Sequence, residues 1–199
     1  MVRRIASVPA VGKDTTPVND TSDLLVSYPR RHFRRARREI IRRLGECGDP
    51  EPRVEKTKVP GIAVVHTRTN GREVIRKCRE LFEAGESFEF VVKWVPVDLW
   101  CETSLDAMKT VIEQRIRERI EQGQTWAMKV EKRGWRQYHA REIIDHLASS
   151  IDRKVDLGHP DRIVRIDVLG PVTAVSLLGP DEIFSIRAPR LRARSRESR

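Results

Sequence analysis

Residues 129–170, KVEKRGWRQYHAREIIDHLASSIDRKVDLGHPDRIVRIDVLG, place the tightest limits on the fold, because their apolar period changes twice. Trp126, Met128 and Val130 alternate with small or polar residues where the stretch begins, the spacing of a half-buried strand. Ile143, Ile144, Leu147, Ala148 and Ile151 then fall on one face of a helix. Gly158-His159-Pro160-Asp161 is a turn, and residues 162–169, rich in Ile and Val, are a second strand. The loop before the helix holds Lys132, Arg133, Trp135, Arg136, Tyr138, His139 and Arg141. Guanidinium groups meet phosphates and rings meet base faces, so this mixture suits a single-stranded or terminal nucleic-acid segment. The same residues also fit a solvated loop whose Trp folds back onto the core.

The upstream part repeats the alternation of strand and helix. Residues 23–28, DLLVSY, are a strand that Pro29 ends. Phe33, Ala36, Ile40, Ile41 and Leu44 make one helical face, and Arg31, Arg34, Arg35, Arg38 and Arg42 make an opposed stripe. Like charges three and four residues apart repel, and hardly any Glu relieves them, so the stripe, with Arg30 beside it, fits an anionic partner. Pro60-Gly61 joins two strands, 53–58 and 62–67, as a hairpin. Asn70 caps a second helix that Gly85 stops. Phe88, Phe90, Val92 and Trp94 alternate along a further strand, which Pro96 interrupts. The order strand, helix, strand, strand, helix, strand is the ferredoxin-like arrangement.

Residues 97–103 read as a connector. Ser104 caps a helix with Leu105, Met108, Ile112, Ile116 and Ile120 on one face, ended by Gly123. The strand, loop, helix and strand described first follow, then a strand at 172–178 and a turn into IFSI. The reading is therefore α+β: a mobile arm at 1–22, a ferredoxin-like domain at 23–103, a second domain at 104–186, and a basic, disordered tail at 187–199.

The net charge of +10 is local. Residues 30–43 hold eight Arg against Glu39, and residues 187–199 hold six Arg against Glu197, so the remainder nets −2. Two basic patches on a nearly neutral body favour a nucleic acid over a membrane, since neither is flanked by a bulky apolar face. No apolar run reaches the length of a membrane span or a secretory signal, so a cytoplasmic protein is expected. Cys47, Cys78 and Cys101 lie far apart without a C-x-x-C pair, which argues against a zinc site or a disulfide framework. Cys78 shares a helical face with Val74, Ile75, Leu81 and Phe82 and reads as a small buried hydrophobe.

The segment REIIDHLASSIDRKVDLGHPDRIVRIDVLG, with its helix, V-D-L, P-D turn and strand, resembles the THUMP domain, an RNA-binding module of tRNA-modifying proteins. The similarity extends through DLLVSYPR, GDPEPRVEKTKVPGIAVVHT and GPDEIFSI. These pieces resemble the THUMP adaptors that support cytidine N4-acetylation in tRNA without a catalytic domain. His139-Ala140 departs from the small hydroxyl residues of the family at the start of the central helix. The resemblance implies a small ferredoxin-like domain ahead of THUMP. It implies tRNA as one partner, gripped at its 3′ end, and a separate acetyltransferase using ATP and acetyl-CoA as the other.

The sequence has no Walker loop, no G-x-G-x-x-G, and no H-x-E with P-C-x-x-C. It also shows no Gly-rich acyl-CoA loop, so no cofactor is expected. Asp145, His146 and Asp152 share a helix, but charged residues on a polar face account for them. The reading is a non-catalytic tRNA-binding adaptor. Two alternatives stay open: an RNA-modifying enzyme with an unrecognised site near residues 135–146, and a ribosome-associated binder of structured RNA. The expected RNA-binding residues are Arg30, Arg31, Arg34, Arg35, Arg38, Lys132, Arg133, Trp135, Arg136, Tyr138, His139 and Arg141, with no catalytic or metal-binding residue.

Overall fold

The computed structural model describes residues 22–186. The arm expected at the start and the basic tail from Arg187 onward lie outside the described residues, apart from Ser22. Strand β1 (Ser22–Ser27), helix α1 (Phe33–Glu46), β2 (Arg53–Lys56), β3 (Ile62–Thr67), α2 (Gly71–Glu83) and β4 (Lys93–Val97) come first. Then follow β5 (Leu99–Glu102), α3 (Leu105–Val111), β6 (Trp126–Arg133), α4 (Ala140–Ala148), β7 (Arg162–Leu169), β8 (Val172–Leu178) and β9 (Phe184–Ser185). One sheet has the order β2-β3-β1-β4-β9 with every pairing antiparallel, and β1 to β4 with α1 and α2 form the expected ferredoxin-like unit. The second has the order β5-β8-β7-β6, with β6 and β7 parallel across the α4 crossover.

Alternation along the strands decides how these pieces stack. Leu24 and Val26 of β1 join Ala36, Ile40 and Leu44 of α1 and Val74, Ile75 and Cys78 of α2 in one core. Leu25, between them, points the other way and packs with Val95, Ile163, Leu169, Ala174 and Leu178. Val164, Ile166 and Val168 of β7 turn to Met108, Ile112, Ile143 and Leu147 on the far side. The result is helices, sheet, sheet and helices, with two sheets sharing an apolar face. Met108, Ile112, Ile116 and Ile120 are all fully buried. A spacing of four overshoots the 3.6-residue turn, so a straight α-helix would wind this series off the sheet. The chain instead widens into a π-turn at Ile112–Ile116 and tightens into a 3₁₀ turn at Arg117–Arg119.

Three local expectations differ. The segment read as a connector contains β5, which pairs Leu99 with Val175 and Glu102 with Val172. Four residues carry too short an alternation to stand out from sequence. The strand expected from Phe88 begins only at Lys93, and it runs through Pro96 rather than stopping there. Pro96 is tolerated because β9 pairs only Lys93 and Trp94, so β4 is an edge strand beyond them. The Phe184–Ser185 strand leaves the second sheet and adds to the first.

Polar clamps hold the two sheets in register. Arg72 of α2 pairs with Asp98 at 2.8 Å and Glu182 at 3.0 Å and donates to the Leu177 carbonyl at 2.9 Å. Arg165 and Asp167, both buried and both on β7, form a two-pronged pair at 2.6 and 2.9 Å that neutralises them within that strand and does not itself cross between the sheets. Asp23 accepts from His66 Nδ1 and from the Trp100 indole, each at 2.6 Å, and so joins β1 to β3 and β5.

Burial alone would raise the Asp23 pKa, but the hydrogen bonds from His66 and Trp100, with the nearby charges, bring it below the ordinary 3.8. A depressed folded-state value means stability that is present above the unfolded value and lost as pH falls through the folded one. The stability difference between wild type and Asp23→Asn should therefore be steady above about pH 5 and shrink below about pH 4. Urea midpoints across that range check it, and a difference that stays constant would count against the linkage.

Candidate nucleic-acid interface

The basic-aromatic loop is shorter than expected. Lys132 and Arg133 belong to β6, paired with Val168 and Leu169, so only residues 134–139 are loop. Their ladder continues because β7 offers an equally long parallel partner. Both cations are partly engaged: Lys132 donates to the Trp135 carbonyl at 3.3 Å, and Arg133 lies 3.8 Å from Glu131 and from Asp167. Gly134 takes φ 76°, and a Cβ there would lie 3.6 Å from the Gly170 Cα. Glycine thus lets β6 turn sharply against the β7–β8 turn.

Beyond it, Trp135 and Tyr138 pack edge to face with centroids 5.3 Å apart. Both rings are half-buried against the second core, so part of each remains at the surface. Arg136 and His139 are exposed, and Arg141 is exposed with Asp145 3.8 Å away. The helix starts without a hydroxyl cap, but Glu142 reaches back to accept the His139 amide at 2.5 Å.

The α1 stripe is outward. Arg30, Arg31, Arg34, Arg35, Arg37, Arg38 and Arg42 are all exposed, and none pairs with a carboxylate among the described residues. Glu39, the acid within this run, is turned inward and accepts the amides of Glu89, Phe90 and Val91 at 2.8, 2.7 and 3.0 Å. Arg43 is fully buried, bonded to Glu46, Glu86 and the Ser87 carbonyl, with its cation 4.4 Å from the Phe88 ring centre. Charge counting along the sequence could not separate it from its exposed neighbours. Phe90, which alternation in the sequence assigned only to a strand, stacks with His32 at 5.7 Å and lies under Arg35 at 5.5 Å. Arg35, Arg38, Glu39, Arg42, Glu89 and Phe90 line a cleft of about 460 Å³.

Arg30 and Arg31 sit in a turn closed by the His32 amide on the Pro29 carbonyl at 3.1 Å. Arg31 has φ 72°, the left-handed region where a type II turn ordinarily places glycine. A side chain there costs roughly 1–2 kcal/mol.

The loop and the turn share one end of the molecule. Lys93 pairs with Ser27, the last residue of β1, and lies within electrostatic range of Glu131 and Arg133 at the end of β6. Burial, then the charge of Arg165, lowers the Lys93 pKa against the opposing pull of Asp167 and Glu131. Among the described residues, no group of three His, Cys, Asp or Glu side chains is placed to hold a metal ion. No helix there is long and apolar enough to cross a membrane.

Residues 102–178, from the end of β5 to the end of β8, match the THUMP domain. The chain carries a THUMP domain. Its V-D-L and P-D residues, though largely at the surface, make structural bonds. Val155 bridges to Trp126, Asp156 accepts the Gly158 and His159 amides at 2.9 and 3.0 Å, and Asp161 accepts from the Thr125 amide at 2.7 Å and its hydroxyl at 2.8 Å. These bonds tie the start of β6 to the start of β7. Leu157, between them, is 82% exposed.

The fold is similar to that of PH1313 from Pyrococcus horikoshii Ot3, with TM-score 0.54 and 15% identity over 79% of this chain and 54% of that one. It is similar to TrmN from Thermus thermophilus, with TM-score 0.56 and 14% identity over 79% of this chain and 45% of that one. A 4-thiouridine synthetase solved in an RNA complex with bound ATP gives TM-score 0.52 and 15% identity, over 82% of this chain and 42% of that one. The chain spans about half the length of these proteins, and at such identities the likeness is one of fold. No curated protein matches it.

Glu39 holds the floor of the α1 cleft through three charge-assisted bonds. Glu39→Gln should keep the helical circular dichroism yet destabilise the protein by about 1–3 kcal/mol, read from urea unfolding. An unchanged midpoint would mean that the three amides are equally well served by water.

Proposed function

We propose that this chain binds tRNA through its THUMP domain and the adjoining basic end of the ferredoxin-like unit. In this reading it presents the tRNA to a separate RNA cytidine acetyltransferase for N4-acetylcytidine formation. The observation that carries RNA binding is the set of exposed arginines without carboxylate partners among the described residues, together with the half-buried Trp135–Tyr138 pair, in a chain with a THUMP domain. Phosphates neutralise the first, and an unpaired base can lie against the second. The RNA complex of the similar 4-thiouridine synthetase supports the RNA part, whereas its bound ATP belongs to that protein. The adaptor role rests on the sequence resemblance of DLLVSYPR, the V-D-L and P-D segment and GPDEIFSI to acetylation adaptors. In such a role ATP and acetyl-CoA bind the partner. This chain contributes grip and the distance from the gripped end to the target base.

Given tRNA, ATP and acetyl-CoA, the purified chain should form no acetylcytidine, and nucleoside mass spectrometry should detect it once the partner is added. Product from the chain alone would replace the adaptor with an enzyme. Pull-down from native cells should bring with it a large ATP-using acetyltransferase.

Trp135 tests what part of the RNA is held. Trp135→Ala should weaken tRNA binding by about 1–3 kcal/mol while leaving the salt slope nearly fixed, since no charge is lost. Trimming the unpaired 3′ nucleotides should weaken the wild type similarly and add little in the variant. Because Trp135 also packs on the core, the variant's melting point should fall too. Binding is therefore compared well below that temperature. Equal discrimination of intact from trimmed tRNA by both proteins would confine Trp135 to packing.

A further inference from the structure

We propose that the concave corner between the 29–32 turn, the start of α1 and the β2–β3 hairpin is a second phosphate site, which seats consecutive phosphates of the bound RNA strand. It rests on the RNA-binding reading and adds a defined place on the ferredoxin-like unit. The corner encloses about 550 Å³ and is lined by Tyr28, Arg30, Arg31, Phe33, Lys56 and Lys58, among others, with no carboxylate in its wall. All four cations are exposed, and none makes an ion pair among the described residues. Four converging positive charges without a counterion repel, and a multiply charged anion relieves that repulsion.

Further observations point to the same ligand. His32 offers α1 no side-chain cap, and no acid lies in the first turn, so the positive end of the helix dipole is left open towards the corner. Arg31 occupies a turn position that suits glycine, which brings a cation to the corner at a conformational cost. The wall is also rigid. The Thr57 hydroxyl lies 2.9 Å from the Val59 and Ile62 carbonyls and accepts the Val59 amide at 3.1 Å, which fixes the turn between Lys56 and Lys58. Gly61 closes the other side: a Cβ there would stand 2.9 Å from the Tyr28 carbonyl oxygen.

The corner faces the same end as the THUMP loop. Val59 and Ile62 of the hairpin share a core cluster with Leu169, and the next residue, Gly170, donates its amide to the Arg133 carbonyl at 2.9 Å. A strand whose unpaired end reaches Trp135 can therefore run its backbone into the corner.

The test uses the full chain, a fluorescent single-stranded RNA and tripolyphosphate. Lys56→Gln with Lys58→Gln should flatten the dependence of log affinity on log salt by about 1.4, two contacts at roughly 0.7 each. Arg31→Gly should shift two readouts in opposite directions: melting temperature up by about 2–4 °C from relief of strain, and RNA affinity down. Arg31→Asn, which tolerates the same backbone, guards against a glycine-specific effect and should also bind more weakly. If wild type binds RNA and all three variants match it in affinity and slope, the corner is a solvated surface and the proposal fails alone. If wild type binds no RNA, the RNA-binding reading fails with it. Tripolyphosphate should compete with RNA only weakly. Tight tripolyphosphate binding that the variants lose would assign the corner to a small polyphosphate and overturn the strand assignment.

Discussion

The shared apolar face between the two sheets is the contact on which the rest of the architecture depends. Leu25, Val59, Ile62 and Val95 on one side meet Ile163, Leu169, Ala174 and Leu178 on the other. Each sheet thereby becomes apolar on both faces, and each needs helices over its remaining side. That requirement places α1 and α2 on one outer surface and α3 and α4 on the opposite one. It also fixes which helix residues can be charged, since only the outermost stripe of each helix is left to water. The polar groups admitted to the middle layer, Arg165 with Asp167 and Asp23 with His66 and Trp100, all have partners. Without them the buried charges would be prohibitively costly.

Much of this was legible in the sequence because long apolar periods carry the signal. The helices containing Ile40 and Cys78, the hairpin at Pro60-Gly61, the caps at Asn70 and Ser104, and the strands at 162–169 and 172–178 all follow from spacing and punctuation. What escaped was short or depended on distant partners. β5 and β9 have four and two residues, too few for a period to register. Residues 88–92 alternate like a strand, yet the amides of Glu89, Phe90 and Val91 bond the Glu39 carboxylate, and only the Val92 amide reaches β1, at the Ser27 carbonyl. Pro96 misled because a proline's effect depends on whether a ladder exists on its free side.

The candidate site shows the same division. Composition located the arginines, but only three dimensions distinguish the buried Arg43 from the exposed Arg42 next to it. Lys132 and Arg133 looked like loop cations and are strand residues held by neighbours, whereas Lys56 and Lys58 gave no sequence signal and line a groove. Trp135 lay between two readings; in the structure part of its ring packs on the second core and part stays at the surface.

The return of β9 to the first sheet has a mechanical consequence. A single residue, Asp98, separates β4 from β5, and after the THUMP fold the chain comes back to lie beside β4. The two units are thus stitched together twice, and Arg72 and Arg79 fasten the returning segment to α2. The shared apolar face and these arginine contacts oppose rotation about the two links, so the spacing between the loop of one unit and the basic end of the other is set by a stiff frame. On the proposed RNA-binding reading, an RNA touching both ends would meet a gauge of fixed opening, and its own shape would provide any adjustment.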